Sequence, residues 1–200
     1  MSDIFARNVP GTTKILHSAC IGIAGCGGLG SNAAVALIRA GVGRLILADC
    51  DVVEESNLNR QYYFQSDIGR RKVDVLAEHL LAINPDVQLE SHHIELNPEN
   101  VPQIFADADL LIEAFDEADK KKWLIESWCA AYPHKHIVCG NGLSGFGRTE
   151  DLRITRCGKI HFCGDCRTDM SIGLCSARVA IVANMQANVA IEILVNRGAK

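Results

Sequence analysis

Glycines, acids and cations in this chain recur at spacings suited to phosphate chemistry. The stretch Ile21 to Gly30, IGIAGCGGLG, sets Gly25, Gly27, Gly28 and Gly30 between an apolar run and the segment SNAAVALIRAG. Glycines at such a turn let a backbone approach a phosphate and leave the first helical N–H groups free to face an anion. Asp49 comes nineteen positions after Gly30, about where a dinucleotide fold places an acid against a ribose hydroxyl. Arg60 and the run Arg70, Arg71, Lys72 bring cations behind it, and Asp116 brings a second acid at the end of DLLIEAFD. An acid for ribose, cations for phosphates and another acid for Mg²⁺ suit ATP. The glycine motif alone leaves NAD, FAD and ATP open. Arg70 and Arg71 read better as solvated charges.

The elements that must hold these groups follow from periodicity. Ile21 to Ala24 reads as a short buried strand, Leu29 to Ala40 as a helix closed by Gly41, and the segment ending at Asp49 as a second strand. VVEESNLNRQYYFQSDIGRRK is too polar and aperiodic for a strand and reads as an ordered loop with short helical turns. Val73, Leu76, Leu80 and Ile83 have helical spacing that stops at Asn84-Pro85. Val87 to Ile94 alternates as a strand, Pro98 to Phe105 is a short helix, and Asp109 to Phe115 is a buried strand. Asp116 is placed to cap the next helix, which runs to about Tyr132. His136 to Gly140 is a fifth strand, LRITR and KIHFC form an antiparallel pair, and Ser176 to Asn196 is the closing helix. The pattern predicts an α/β, Rossmann-like fold: a mostly parallel sheet, helices on both faces and a small antiparallel extension near the C-terminus. Residues 1–200 form one domain, with 1–20 as an N-terminal arm and 141–175 as a variable loop and hairpin region.

Two hundred residues, 48% hydrophobic and 22% charged, suit one core between a sheet and two helical layers. A net charge of −4 gives no basic footprint for nucleic acid or an anionic membrane. Val179 to Val195 is apolar but carries Asn184, Gln186, Asn188 and Glu192, so it reads as a core helix. MSDIFARNVP has no apolar h-region, and nine cysteines without an export signal fit a reducing, cytoplasmic setting.

Four motifs in strict order, GCGGLGSN, LADCDVVEESNLNRQ, DIGRRK and EAFD, resemble the ThiF/MoeB/HesA family of ubiquitin-activating-enzyme relatives over roughly Cys20 to Gly140. The likeness is greatest to short ThiF-type proteins. It implies ATP-dependent adenylation of the C-terminal glycine of a small ubiquitin-like sulfur carrier ending in Gly-Gly, similar to ThiS, for thiamine thiazole synthesis. By the same resemblance the glycine turn and Asp49 hold adenosine and ribose, with Gly28 nearest the nucleotide. Ser56, Asn57, Leu58, Asn59 and Arg60 match the loop that meets the phosphates, Lys72 matches a phosphate-contacting lysine, and Asp116 matches the Mg²⁺-associated aspartate. Arg60, Lys72 and Asp116 are the implied catalytic groups. Glu117 stands where many members have Asn. Arg7 loosely matches an arginine that the partner subunit of a homodimer supplies.

Many members hold a structural zinc with two CxxC pairs, but here only Cys163 and Cys166 form such a pair. A set of Cys157, Cys163, Cys166 and Cys175 is conceivable for zinc and departs from both the family pattern and common zinc spacings. Cys166 lies in a Cys-Arg-Thr context similar to that of a sulfur-handling cysteine in some ThiF proteins, so a sulfur relay and an unreactive loop cysteine both stand. Cys20, Cys26, Cys50, Cys129 and Cys139 read as small packed side chains. Two other function classes stay open: an NAD-linked oxidoreductase, and a non-catalytic activating-enzyme-like binding subunit.

Overall fold

The computed structural model describes residues 3–198; Met1, Ser2, Ala199 and Lys200, which the sequence reading counts into the arm and the domain's end, lie outside them. Five parallel strands follow the expected pattern: β1 (Cys20–Ala24), β2 (Arg44–Asp49), β3 (Gln88–His93), β4 (Leu110–Glu113) and β5 (His136–Gly140). A hairpin, β6 (Arg153–Cys157) and β7 (Ile160–Gly164), completes a seven-stranded sheet of order β3-β2-β1-β4-β5-β7-β6. β7 runs parallel to β5 and β6 antiparallel to β7, so among the described residues the sheet's strands reverse at the C-terminal edge alone, as the sequence suggests.

Helices cover both faces. α1 (Thr12–His17), α2 (Gly28–Ala40), α3 (Lys72–Ile83) and α6 (Ser176–Gly198) pack on one, with Ile21, Ile23, Leu37, Leu76 and Val182 in the shared core. α4 (Val101–Ile104) and α5 (Ala118–Ala131) pack on the other, around Phe105, Leu111, Leu124 and Trp128. Successive β1 residues alternate between these cores because side chains alternate across a strand: Ile21 and Ile23 face one, Cys20 and Ala24 the other.

α6 is long and apolar enough, by length and composition, to cross a bilayer, yet half of that window is buried inside the fold. Gln186 in its middle is fully buried, and its amide donates to the carbonyls of Glu113 (2.8 Å) and Val138 (3.1 Å). The side chain thus ties the helix to β4 and β5. One local expectation fails. Asp116 does not cap α5: Glu117 holds the N-cap position, without a side-chain cap bond, and pairs with Lys120 at 2.9 Å. The helix begins one residue later than the pattern implies, which leaves Asp116 outside it, in the bend past the carboxyl end of β4.

Candidate nucleotide-binding cleft

The strand order reverses direction between β1 and β4, and ligands of open α/β sheets bind at such a switch point, outside the carboxyl ends of the strands. A cleft of about 290 Å³ opens there, lined by Gly25, Gly27, Gly28, Asp49, Arg60, Lys72 and Asp116 among others. These residues lie far apart in sequence and line the same cleft.

Each glycine has its own reason. Gly25 takes φ +95° as the chain leaves β1, and a Cβ at Gly30 would lie 1.9 Å from the Gly25 carbonyl oxygen, so α2 can approach the turn only without a side chain there. Gly30 therefore packs behind the turn, while Gly27 and Gly28 face the cleft. Gly27 is the N-cap of α2 and no side chain caps the helix, which leaves first-turn N–H groups for an anion.

Asp49 closes the turn from β2. Its Oδ2 accepts the Cys26 N–H at 2.6 Å and its Oδ1 the Asp51 N–H at 2.7 Å. Burial pushes its carboxyl above the ordinary value, and the two N–H bonds and the nearby Lys72 hold that rise back. Lys72, the first residue of α3, is buried, and its ammonium pairs with Asp51 Oδ2 at 2.7 Å. Asp116 is exposed on the opposite lip and makes no hydrogen bond to the described residues, so its oxygens can take a metal ion.

The Ser56–Asn59 segment supports the cleft and does not line it. Arg60 Nη1 donates to the Ser56 carbonyl (3.0 Å) and to Asn59 Oδ1 (2.8 Å), Asn57 is buried with Oδ1 accepting the Glu54 N–H, and Leu58 packs on the core. Ser31 and Asn32 of α2 latch this segment in place: Ser31 Oγ accepts the Tyr62 N–H at 3.0 Å, and Asn32 Nδ2 donates to the Arg60 carbonyl at 3.0 Å. Arg7 is exposed, next to Asn8, which bonds the Ala40 carbonyl at the far end of α2, about 18 Å of helix from the glycine turn. One chain does not bring Arg7 to the cleft.

Below the opposite lip, Glu113 is fully buried; burial raises its pKa, opposed by Lys121. Lys121 Nζ spends its donors on both Glu113 oxygens (2.9 and 3.0 Å) and the Gly140 carbonyl (2.9 Å), joining the ends of β4 and β5 to α5. The far wall is the loop Asn141–Ser144, held by a second buried pair, Asp165 and Arg178, at 2.6 Å. Asp165 Oδ1 also accepts the N–H groups of Arg167 and Thr168, and Arg178 donates to the Gly147 and Arg148 carbonyls. Burial raises the Asp165 carboxyl, but these donors outweigh it and its pKa lies below the ordinary value. Cys166, exposed at φ +57°, sits in the turn that this pair braces, outside the cleft lining.

The sequence reading missed Asp51, Lys121, Asp165 and Arg178. The second acid of Asp49-Cys50-Asp51 was a readable signal; the other three pair across the fold and left none. Cys157, Cys163, Cys166 and Cys175 do not gather: among the described residues, the one group of metal-capable side chains converging within 4.8 Å is Asp49, Cys50 and Asp51.

The profile of the ThiF family matches residues 4–200. The adenylyltransferase and sulfurtransferase uba4 of Aspergillus niger is 45% identical over 102 residues, 50% of this chain and 21% of that protein. The probable adenylyltransferase/sulfurtransferase MoeZ of Mycobacterium tuberculosis is 38% identical over 104 residues, 52% of this chain and 26% of that protein. The chain thus spans about a fifth to a quarter of the length of these relatives. Among solved structures, Escherichia coli tRNA N6-threonylcarbamoyladenosine dehydratase TcdA in complex with ATP superposes with a TM-score of 0.88 at 22% identity, covering 98% of this chain and 93% of that one. Escherichia coli MccB with ATP gives 0.71 at 19% identity, over 92% of this chain and 58% of that one. These structures share the fold. With ordered motifs, a switch-point cleft and a profile match along nearly its whole length, the chain belongs to the ThiF family.

Proposed function

We propose that this chain is an ATP-dependent adenylyltransferase that activates the C-terminal glycine carboxylate of a small ubiquitin-like sulfur carrier, ThiS-like and ending in Gly-Gly, in thiamine thiazole synthesis. A carboxylate oxygen bonds to the α-phosphorus of ATP, the bond from that phosphorus to the bridging oxygen breaks, and pyrophosphate leaves with the electron pair. The observation that carries this reading is the convergence of the bare glycine turn, Arg60, Lys72 and Asp116 on one cleft. The adenylyltransferase names of uba4 and MoeZ support it.

The chemistry asks little of a protein base. A peptide C-terminal carboxyl has a pKa of about 3.3–3.7, so at neutral pH the nucleophile is already an anion. The difficulty is bringing it to a polyanion. Gly27 and Gly28 admit the phosphates to the N-terminus of α2, and Asp49 accepts from ribose hydroxyls. Arg60 and Lys72 offset the charge that builds on the departing pyrophosphate. Mg²⁺ held at Asp116 would add positive charge to the phosphates.

ATP:pyrophosphate exchange with a panel of Gly-Gly carriers tests the reading. Exchange is expected with at least one ThiS-like carrier, and a drop of about 10²-fold or more in Arg60→Ala and in Asp116→Ala, each still folded. Exchange with no carrier, or unchanged exchange in both variants, overturns it. Binding of a nicotinamide dinucleotide without Mg²⁺ dependence would favour an oxidoreductase, and carrier binding without exchange a non-catalytic subunit.

A further inference from the structure

Lys72 is the cation most deeply set in the cleft, and the way it is held has a consequence for ATP. Its side chain is 6% exposed and its ammonium pairs with Asp51, whose own side chain is 61% exposed. Among the described residues Asp51 is the only carboxylate in contact with it. The same two residues are joined through the backbone, where the Lys72 N–H donates to the Asp51 carbonyl at 3.0 Å. Asp51 is in turn fixed from the ribose side, since its N–H donates to Asp49 Oδ1 and Asp49 Oδ2 accepts the Cys26 N–H of the glycine turn. A continuous chain of bonds therefore runs from the glycine turn through Asp49 and Asp51 to the Lys72 ammonium.

We propose that Asp51 is a positioning residue: it holds the Lys72 ammonium inside the cleft before nucleotide arrives, as the counter-ion from which the triphosphate takes over. The inference rests on the nucleotide reading above. A lysine is a point charge on a flexible stem, and a buried one without a counter-ion withdraws to solvent or sheds its charge. Either outcome removes the cation from the phosphates while leaving the rest of the cleft intact. Asp51 touches no reacting atom in this scheme; it acts through Lys72. The ammonium has three donors and Asp51 occupies one, so phosphate oxygens can be taken up before the pair separates.

The test is calorimetric titration of ATP, in EDTA and again with Mg²⁺, into the wild-type chain and into Asp51→Asn, Asp51→Glu, Lys72→Met and the Asp51→Asn/Lys72→Met double variant. Adenosine, which lacks phosphates, is titrated in parallel by saturation-transfer NMR, and thermal unfolding checks that each variant is folded. Asp51→Asn is expected to weaken ATP about tenfold with or without Mg²⁺, Asp51→Glu to recover to within about threefold, and the double variant to bind no worse than Lys72→Met, because the two residues act as one. Adenosine binding stays within about threefold throughout, which a general loosening of the cleft would not allow. Four results overturn the proposal: ATP binding unchanged in Asp51→Asn, an equal loss for adenosine, additive losses in the double variant, or a loss seen only with Mg²⁺, which would make Asp51 a metal ligand. All four leave ATP binding by the wild type standing. Failure of the wild type to bind ATP is a separate result that overturns the nucleotide reading itself.

Discussion

Gly28 and Gly30 lie two residues apart in the first turn of α2, yet a methyl group would meet different neighbours at each. At Gly30 it would collide with the Gly25 carbonyl oxygen, which cannot yield, so Gly30→Ala is expected to lower stability by about 3 kcal/mol in urea denaturation. At Gly28 it would stand 3.0 Å from Val179 Cγ1 and 3.5 Å from Arg60 Cγ, flexible atoms beside the cleft. Gly28→Ala is therefore expected to stay within about 1 kcal/mol of wild type while slowing ATP:pyrophosphate exchange. The family resemblance singles out Gly28 as the glycine nearest the nucleotide, but why Gly30 must be a glycine is not legible in the sequence, because the reason is a carbonyl brought back by the turn. The sequence groups Gly25, Gly27, Gly28, Gly30, Asp49, Arg60, Lys72 and Asp116, with Arg7 from a partner subunit, around one ligand; all of these but Gly30 and Arg7 line one cleft. Ser56 to Asn59 share a motif with Arg60 and shape it from behind. Ser31 and Asn32 were read only as letters of a motif, and their latching bonds to the next loop are visible only in three dimensions.

The loop Asn141–Arg148 and the start of α6 depend on a buried ion pair for their mutual placement. Asp165 and Arg178 are each 4% exposed on the side chain, and removing one partner strands the other's charge away from water. Arg178→Met is expected to cost about 3 kcal/mol and to raise hydrogen exchange at Gly142 to Arg148 ahead of the sheet, measured by mass spectrometry. Asp165 has a lowered pKa in the fold, so its contribution is present above the unfolded carboxyl value and is lost as pH falls through the lower, folded one. Elements with strong period were legible: five parallel strands, α2, α3, α5 and α6 lie where apolar spacing puts them, within a few residues. The end of β4 was not. An aspartate before a helix has the same letters whether it caps the helix or stands one residue outside it, and here Glu117 takes the cap position.

The molecule as a whole carries an acid-sensitive joint at the opposite end of the sheet from the cleft. His136 of β5 and His161 of β7 share a hydrogen bond of 2.8 Å between Nδ1 and Nε2, and Lys159 donates to His136 Nε2 at 3.2 Å. The lysine's donation puts the His136 proton on Nδ1, which donates to His161, and His161 then carries its proton on Nδ1, buried without a partner among the described residues. Burial, with Lys159 and His161 adding to it, pushes His136 down to about 4, and burial lowers His161 too. The folded values lie below the unfolded one, so the unfolded chain binds more protons between them, and stability falls as pH drops from about 6.5 toward 4. Urea denaturation across that window should show this slope, and a His136→Asn/His161→Phe variant should flatten it; an unchanged slope would place the acid sensitivity elsewhere. The overall layering was legible because a βαβ alternation admits few arrangements. The attachment of α6 was not: Arg178 ties its start to Asp165, and one amide, that of Gln186, ties its middle to β4 and β5. Apolar ridges along a helix tolerate sliding, since one Val or Ala meets the next groove much as the last. The amide of Gln186 does not: a slip of one turn, about 5.4 Å, would carry it away from both carbonyls it serves and leave a polar group in oil. This buried amide, midway along the helix's inner face, works as a detent, giving a greasy rod a fixed stop along its track.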